Sequence, residues 1–290
     1  MFTELNDLGR KTLEEFKNIK NLPTIPKVVI EVNEMIRTHT GHVGRLAEVV
    51  GKDQGLTTKI LAVANSPLYG LPKKVSSIEF AIMLLGMGEI SNIVTAISLA
   101  QVVKGEEVEN FDYMEFWKHS MLVGIASKDI AKRLGFAEYA GDAFVAGMLH
   151  DIGIQLTARY FPQQFQKIVN MTKENGISYF DAEKIVLGVT HEDIGHFMVT
   201  KWNLPKNLSE VLGYHHSPSQ LEEENVTLNI IHLADSMTKM FDIGNYVWDL
   251  GVEFDESTIA SLNFSDKTEL EEFVEEYFLI FQDAADTIKL

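Results

Sequence analysis

Residues 143–156 read AFVAGMLHDIGIQL, an apolar run with helical spacing that holds one adjacent polar pair, His150 and Asp151. Burying an imidazole beside a carboxylate costs free energy unless something compensates both groups. A metal ion can compensate them, and so can a network of hydrogen bonds. The stretch therefore predicts a buried polar centre inside a helical protein, and the rest of the chain must supply its partners.

Helical periodicity extends through the 290-residue chain, and no segment shows a convincing two-residue alternation. The pattern predicts an all-α fold. We expect one helix over residues 138–160, around the His-Asp pair, and the longest regular segment over residues 112–134. The tail, residues 257–290, is predicted to form a short helix and a long amphipathic one.

A charged, glycine-containing connection at residues 104–110 is the best candidate for a boundary between two lobes. It divides the chain into an N-terminal helical lobe, residues 1–108, and a second helical lobe with the tail, residues 109–290. The polar pair lies in the second lobe, where we expect the metal centre.

The composition excludes several kinds of site and partner. The chain has no cysteine, which excludes disulfides, thiolate metal sites and cysteine nucleophiles. Its formal net charge of −17 argues against nucleic acid or an anionic membrane as partner, because both need clustered Lys and Arg. No signal peptide or membrane-spanning run is present. We therefore expect a cytoplasmic protein.

Side chains that can bind metal recur along the chain. The candidates are Glu115, His119, His150, Asp151, His191, His215, His216 and Asp235. Glu115 and His119 are four residues apart and so share a helix face, and Asp235 lies in an apolar helix where an unpaired carboxylate is costly. Neutral imidazole with carboxylate suits Fe, Mn, Zn, Ni or Co. The set is large enough for more than one ion.

Each candidate also has a simpler explanation. A Glu and a His four residues apart are usually a solvated or hydrogen-bonded pair. His191 could be a surface residue, the pair His215-His216 could cap a helix C-terminus, and Asp235 could accept a hydrogen bond from a neighbouring side chain. An inert helical scaffold with a hydrogen-bonded His-Asp network thus stays open as an alternative.

In chain order, His119, the pair His150-Asp151 and Asp235 resemble the HD superfamily, helical metal-dependent phosphohydrolases named for that dipeptide. The four remaining candidates bring the set close to the HD-GYP subgroup, which hydrolyses cyclic dinucleotides at a multi-metal centre. The resemblance implies an HD-superfamily bundle and a centre for two or three divalent transition-metal ions.

The N-terminal half resembles a narrower family, the HDOD domains, which are HD-related output modules of bacterial signalling. The matching segments, in order and spacing, are LPTIP at 22–26, DQGLT at 53–57, ANSP at 64–67 and AIMLLG at 81–86. The family typically has Asp-Pro where this chain has Asp53-Gln54. The resemblance covers roughly residues 21–217 and implies a signalling output role.

Two features bear on activity in opposite directions. Many HDOD members have lost the metal ligands and act without catalysis, whereas this chain keeps the full set. However, the HD-GYP pattern has a Lys where this chain has Ile154, and its Gly-Tyr-Pro segment is replaced by SPSQ at 217–220. A Lys near the metal would stabilise charge on a substrate phosphate. We therefore expect metal binding rather than turnover.

The resulting hypothesis is a signalling output protein that acts by binding, with an unidentified signalling partner or a phosphate-containing ligand. Its first ion is held by His119, His150, Asp151 and Asp235, with Asp151 as a bridge. A second ion is held by His191, His215 and His216, and Glu115 is assigned to a third.

The alternative is an enzyme, a metal-dependent phosphohydrolase or phosphodiesterase acting on nucleotides or cyclic dinucleotides. Asp151 would be its catalytic residue, and a divalent ion would activate the attacking water. A basic side chain would have to meet the phosphate, and Lys118 and Arg159 are nearby in sequence. The sequence leaves open whether the protein is an enzyme.

Overall fold

The computed structural model describes residues 5–71, 73–241, 243, 247–249 and 254–287. Within these residues the regular structure consists of α-helices and short 3-10 turns, so the all-α prediction is confirmed. The first six helices are α1 (Asp7–Lys17), α2 (Lys27–Arg37), α3 (Val43–Gly51), α4 (Gln54–Ala64), α5 (Ile78–Leu85) and α6 (Met87–Val102).

The following helices form the part of the bundle that carries the candidate ligands. They are α7 (Tyr113–Arg133), α8 (Ala140–Leu149), α9 (Ile152–Tyr160), α10 (Pro162–Asn175), α11 (Tyr179–Leu187), α12 (His191–Lys201), α13 (Lys206–Tyr214) and α14 (Val226–Met240). The chain then forms α15 (Ser257–Ser261), α16 (Lys267–Glu275) and α17 (Phe278–Thr287).

Local capping interactions fix the helix starts that matter for the candidate site. The Asp112 carboxylate accepts hydrogen bonds from the backbone N–H groups of Met114 and Glu115, at 2.9 and 3.1 Å, and so starts α7. Thr190 and Asp193 form a reciprocal capping box that starts α12. That box places His191 at the first position of its helix.

The single helix predicted over residues 138–160 is wrong, because the chain breaks at the polar pair. Helix α8 ends at Leu149 and α9 begins at Ile152. Asp151 has φ −93° and ψ 12°, outside the helical region. A Cβ at Gly153 would lie 1.9 Å from the His191 carbonyl oxygen, so the start of α9 packs directly against the start of α12.

A second pair of glycines brings α7 close to α8. A Cβ on Gly147 would lie 2.8 Å from the Gly124 Cα, and one on Gly124 would lie 2.7 Å from the Met148 Cγ. The two helices can therefore cross with backbones almost in contact. The crossing holds His119, five residues before Gly124 on α7, beside the end of α8.

One apolar core runs through both halves of the chain. It includes Ile97 of α6 and Phe144 of α8, both fully buried, and these two helices pack against each other. The division into lobes at residue 108 stays a prediction. None of the described helices combines the length and the apolar character that crossing a membrane requires.

The tail forms three helices rather than the two that were predicted. The predicted long helix is divided after Glu275, and Tyr277 between α16 and α17 is fully buried. The Tyr277 hydroxyl donates a hydrogen bond of 2.8 Å to the Asp129 carboxylate of α7. This anchoring of the turn explains the break, and the last three residues of the predicted helix lie outside the described ones.

Candidate metal centre

Seven of the eight candidate ligands are brought into two adjoining buried groups. One group comprises His119, His150 and Asp235, and the other comprises Asp151, His191, His215 and His216. They come from separate elements, with α7, the α8–α9 junction, α12, the end of α13 and α14 each contributing at least one. Their meeting depends on the tertiary packing of the bundle.

In the first group the imidazole Nε2 atoms and a carboxylate oxygen converge. The Nε2 atoms of His119 and His150 are 3.2 Å apart. The Asp235 Oδ1 lies 3.2 Å from the His119 Nε2 and 3.4 Å from the His150 Nε2. All three side chains are at most 5% exposed.

In the second group, the Nε2 atom of one histidine lies close to the Nε2 atoms of the other two. The His191 Nε2 lies 3.0 Å from the His216 Nε2 and 3.4 Å from the His215 Nε2. Each of these histidines is buried, and His216 is the most exposed of them at 7%. The group therefore offers three imidazole nitrogens to one small space.

Asp151 links the two groups because each of its carboxylate oxygens faces a different one. Its Oδ2 lies 3.4 Å from the His119 Nε2 and 3.2 Å from the His150 Nε2. Its Oδ1 lies 3.5 Å from the His191 Nε2 and 3.4 Å from the His215 Nε2. With Asp151 counted in both, each group presents four donor atoms.

These separations are those of ligand atoms around a common ion. Donor atoms lie about 2.0–2.2 Å from a transition-metal ion, so neighbouring donors are about 3.0 Å apart at octahedral angles and about 3.4 Å apart at tetrahedral ones. The shortest separations between donor atoms in the two groups run from 3.0 to 3.5 Å. The residues present therefore fit a metal ion in each group.

The histidine tautomers also favour a cation. The His150 Nδ1 donates to the Gly147 carbonyl at 2.7 Å, and the His191 Nδ1 donates to the Glu183 Oε2 at 2.8 Å. In a neutral imidazole that donates through Nδ1, the Nε2 carries a lone pair. Two such lone pairs thus point into the centre, where a cation would accept them.

The carboxylates give the same indication. Both oxygens of Asp151 and the Oδ1 of Asp235 are buried, and their polar neighbours are imidazole Nε2 atoms, which donate to them only when those nitrogens carry a proton. A buried carboxylate oxygen without a donor is costly. A metal ion would replace the missing donors, and this is the chemistry that the arrangement is suited to.

Two glutamates that were not among the candidates predicted from the sequence hold the histidines in position. Glu183 of α11 is fully buried and accepts from both the backbone N–H and the Nδ1 of His191. Glu192 accepts from the His216 backbone N–H at 3.0 Å and lies 3.6 Å from the His215 Nδ1. Carboxylates in this position fix the orientation of ligating imidazoles.

The pKa shifts show how strongly these charges act on one another. Burial lowers the pKa of His150, but the Asp151 and Asp235 carboxylates outweigh it and hold that pKa well above its usual range. Burial also lowers the pKa of His191, and Glu183 reverses this and raises it to about 9. Burial lowers the pKa of His215 to about 4. Without a metal the centre holds protons on some imidazoles and not on others.

His232 shows what a buried histidine without such a role looks like. Its Nδ1 donates to the His215 carbonyl at 2.6 Å, and its Nε2 accepts from the Asp255 backbone N–H at 2.8 Å. Both ring nitrogens are therefore satisfied by the protein. The side chain holds the backbone of His215, and its chemistry leaves no donor atom for an ion.

The structure does not bring Glu115 to either group. Its carboxylate forms an ion pair of 2.5 Å with Lys118, one turn along α7, and its side chain is 40% exposed. The other basic residue considered, Arg159, donates to the carbonyls of Val102 and Lys104. Ile154 is fully buried in the first turns of α9.

The chain is similar to known proteins over most of its length. A curated protein of Treponema pallidum, described as uncharacterized, is 22% identical over 225 residues, which cover 77% of this chain and 43% of that protein. This chain thus spans less than half the length of the curated relative.

Solved structures match over almost the entire chain. An HDOD domain protein of unknown function from Geobacter sulfurreducens is 22% identical, with a TM-score of 0.79 over 96% of this chain and 97% of that one. A protein from Shewanella amazonensis, named as a candidate phosphohydrolase, is 22% identical, with a TM-score of 0.72 over 99% of each chain. At this identity the likeness establishes the fold.

The family follows from the sequence match. The family model described as the HDOD domain covers residues 22–218, which include six of the seven clustered residues, with Asp235 in the segment that follows. The agreement of this match with the helical fold confirms the resemblance found in the sequence. The chain belongs to the HDOD family.

Proposed function

We propose that this protein is a signalling output protein whose buried centre holds two divalent transition-metal ions and which acts by binding rather than turnover. The observation that carries the proposal is Asp151, with one oxygen 3.2 Å from the His150 Nε2 and the other 3.4 Å from the His215 Nε2. A carboxylate placed between two sets of imidazoles is suited to bridging two ions.

The side chains have distinct tasks in this proposal. His119, His150 and Asp235 hold one ion, and His191, His215 and His216 hold the other. A bound divalent ion supplies a Lewis acid that can hold a phosphate oxygen of a ligand. Glu183 keeps the His191 ring oriented and its Nδ1 protonated, so that the Nε2 lone pair faces inward.

The surroundings of the centre support binding over turnover. Its seven side chains are at most 7% exposed, which leaves little room for a large substrate. Lys118 is paired with Glu115, and Arg159 is held by backbone carbonyls. The position that could carry a phosphate-binding cation is Ile154, which is buried and apolar. Charge developing on a phosphate in a transition state would lack these partners.

A metal-dependent phosphohydrolase is the second candidate, and one observation favours it. Two ligand groups that share a carboxylate are typical of hydrolytic two-metal sites, where both ions contact the phosphate. Asp151 would then be the catalytic residue. We further propose that the metal is Fe, Mn, Zn or Ni. The protein would bind a signalling partner or a phosphate-containing ligand.

The test compares metal content in matched variants. We expect two ions per chain in the wild type by elemental analysis, and loss of at least one in Asp151→Asn. Asp142→Asn changes an exposed residue in the first turn of α8 and should retain both ions. Full metal content in Asp151→Asn would contradict the bridging role. Hydrolysis of nucleotides or cyclic dinucleotides by the wild type, lost in Asp151→Asn, would favour the enzyme.

A further inference from the structure

A cleft separate from the ligating side chains lies between the N-terminal helices and the helices that carry them. Its enclosed volume is about 170 Å3, it is open to solvent on one side, and its walls come from α4, α6, α7 and α9. Two lysines, Lys59 and Lys104, are the charged residues among those that line it. A ligand held by the lysines would fill the enclosed part and extend through the open side.

The two lysines are unusual in a chain with a net charge of −17. Neither has a carboxylate within 4.0 Å among the residues that the structure describes. Lys59 is half-buried, with its Nζ 4.3 Å from the centre of the Trp117 ring, and the Lys104 Nζ lies 5.3 Å from the centre of the Tyr113 ring. The ammonium groups rest on aromatic faces, which compensate a buried cation only in part.

The interaction between the two lysines is repulsive. Burial lowers the pKa of Lys59, the charge of Lys104 lowers it further, and the more distant Asp53 offsets only part of this. An anion placed between the ammonium groups would remove the repulsion and replace the water that Lys59 has lost.

Two of the residues that line the cleft each have a buried polar atom without a hydrogen-bond partner among the described residues. The Trp117 Nε1 and the Gln155 Oε1 are buried and have no hydrogen-bond partner among the described residues. Trp117 is 8% exposed and Gln155 is 4% exposed, and both line the cleft. The Trp117 Nε1–H is a donor and the Gln155 Oε1 is an acceptor. A flat ring with polar groups along its edge needs both kinds of partner.

We propose that this cleft binds a small organic phosphate with a flat ring, of the nucleoside monophosphate type. The two lysines would take the phosphate, and the ring would lie against the apolar wall beside Trp117 and Gln155. The proposal is independent of the metal centre, since none of these residues belongs to either ligand group.

The site is placed where a ligand could affect the centre. Trp117 is two residues before His119 on α7, and Gln155 is four residues after Asp151 on α9. A ligand held between them would contact α7, which carries His119, and α9, which begins directly after Asp151. Such a contact would give the protein an input that needs no further domain.

The first experiment measures thermal unfolding with AMP, adenosine or inorganic phosphate at constant ionic strength. AMP at about ten times its Kd should raise the Tm of the wild type by about 2–4 °C. Lys59→Met with Lys104→Met should abolish the rise, because Met keeps the length and removes the charge. Lys11→Met with Lys52→Met makes the same change of charge at exposed, ion-paired lysines and should respond as the wild type.

Three results would overturn the assignment. They are no shift with AMP up to 10 mM, an equal shift in the Lys59→Met/Lys104→Met variant, and an equal shift with phosphate or adenosine alone. A fluorescence titration covers the case in which the double variant misfolds. AMP should change tryptophan emission in the wild type and not in Trp117→Phe, which retains the other two tryptophans. An unchanged response in Trp117→Phe would place the ligand elsewhere.

Discussion

The interior of helices α1–α6 and the interior around α7–α14 are both well buried, but they are built from different groups. In the described residues up to 103, the buried polar side chains are those of Ser and Thr alone. From residue 119 onward the buried side chains include several His, Asp and Glu residues. The first interior is apolar apart from these hydroxyl groups, whereas the second concentrates ionisable groups that a bound cation would compensate.

Removing the metal should have the largest effect on stability. This effect should arise in the interior around α7–α14. If the free ion was present at about 1,000 times its Kd, chelation should lower the free energy of unfolding by about 4 kcal/mol per site. Calorimetric unfolding of metal-loaded protein before and after chelation measures this. The metal-deficient Asp151→Asn protein should respond less. Equal stability of the metal-loaded and the chelated wild type would show that the interior around α7–α14 needs no metal ion for its stability.

Shortening an apolar side chain in the interior of α1–α6 should lower the free energy of unfolding by a smaller amount. This loss should not depend on metal. Ile97 is fully buried in α6, so Ile97→Ala should destabilise the protein by about 2–5 kcal/mol through lost contacts and a cavity. Denaturant unfolding with and without metal should give the same loss. A loss that changed with metal would mean that α6 and the centre are energetically coupled.

Glu183→Gln tests the support behind the second group. The amide cannot act as a charged acceptor for the His191 Nδ1–H, so metal affinity should fall about 10–100-fold. Competition with a chromophoric chelator measures the affinity. Glu174→Gln, at an exposed position of α10, is the control and should leave it unchanged. An unchanged metal affinity in Glu183→Gln would show that Glu183 does not support metal binding.

The pH dependence follows from the raised pKa values in the second interior. His191 has a pKa raised to about 9, so it holds a proton at pH 7 when no metal is bound, and the raised pKa of His150 acts in the same direction. Metal must displace those protons, so affinity should rise with pH up to about 9 and fall as the pH is lowered, by up to about tenfold per pH unit for each proton released. Calorimetric titration in buffers of different ionisation enthalpy counts the protons. No proton release at pH 7 would contradict these protonation states.

Glu115→Gln should have the smallest effect. Its ion pair with Lys118 is partly exposed, and such pairs contribute at most about 1 kcal/mol. We expect no change in metal content by elemental analysis. A loss of one ion would instead support the assignment of Glu115 to a third site.

Local signals in the sequence predicted much of the fold. The helical spacing predicted the longest regular segment over residues 112–134, and α7 runs over Tyr113–Arg133. The break at His150-Asp151 was missed because its cause is a tertiary contact, the approach of Gly153 to the His191 carbonyl. The glycine was visible in the sequence, but the surface it packs against was not.

The candidate ligands were likewise predictable in part. His and Asp in apolar helical runs are costly, which singled out residues such as His150 and Asp235. Glu183 gave no such signal, because a Glu in a helix is ordinarily solvated, and only the fold shows that it is buried against His191. Glu115 was included because it shares a helix face with His119, but its carboxylate turns to Lys118 instead.

Anomalous diffraction from crystals of the metal-loaded protein would show directly whether Asp151 lies between two metal ions. We expect two anomalous peaks about 3.5–4 Å apart, one beside the His119 and His150 Nε2 atoms and one beside the His191 and His215 Nε2 atoms. Asp151 should contact both. A single peak in a metal-loaded crystal, or peaks that Asp151 does not contact, would mean that Asp151 does not bridge two ions.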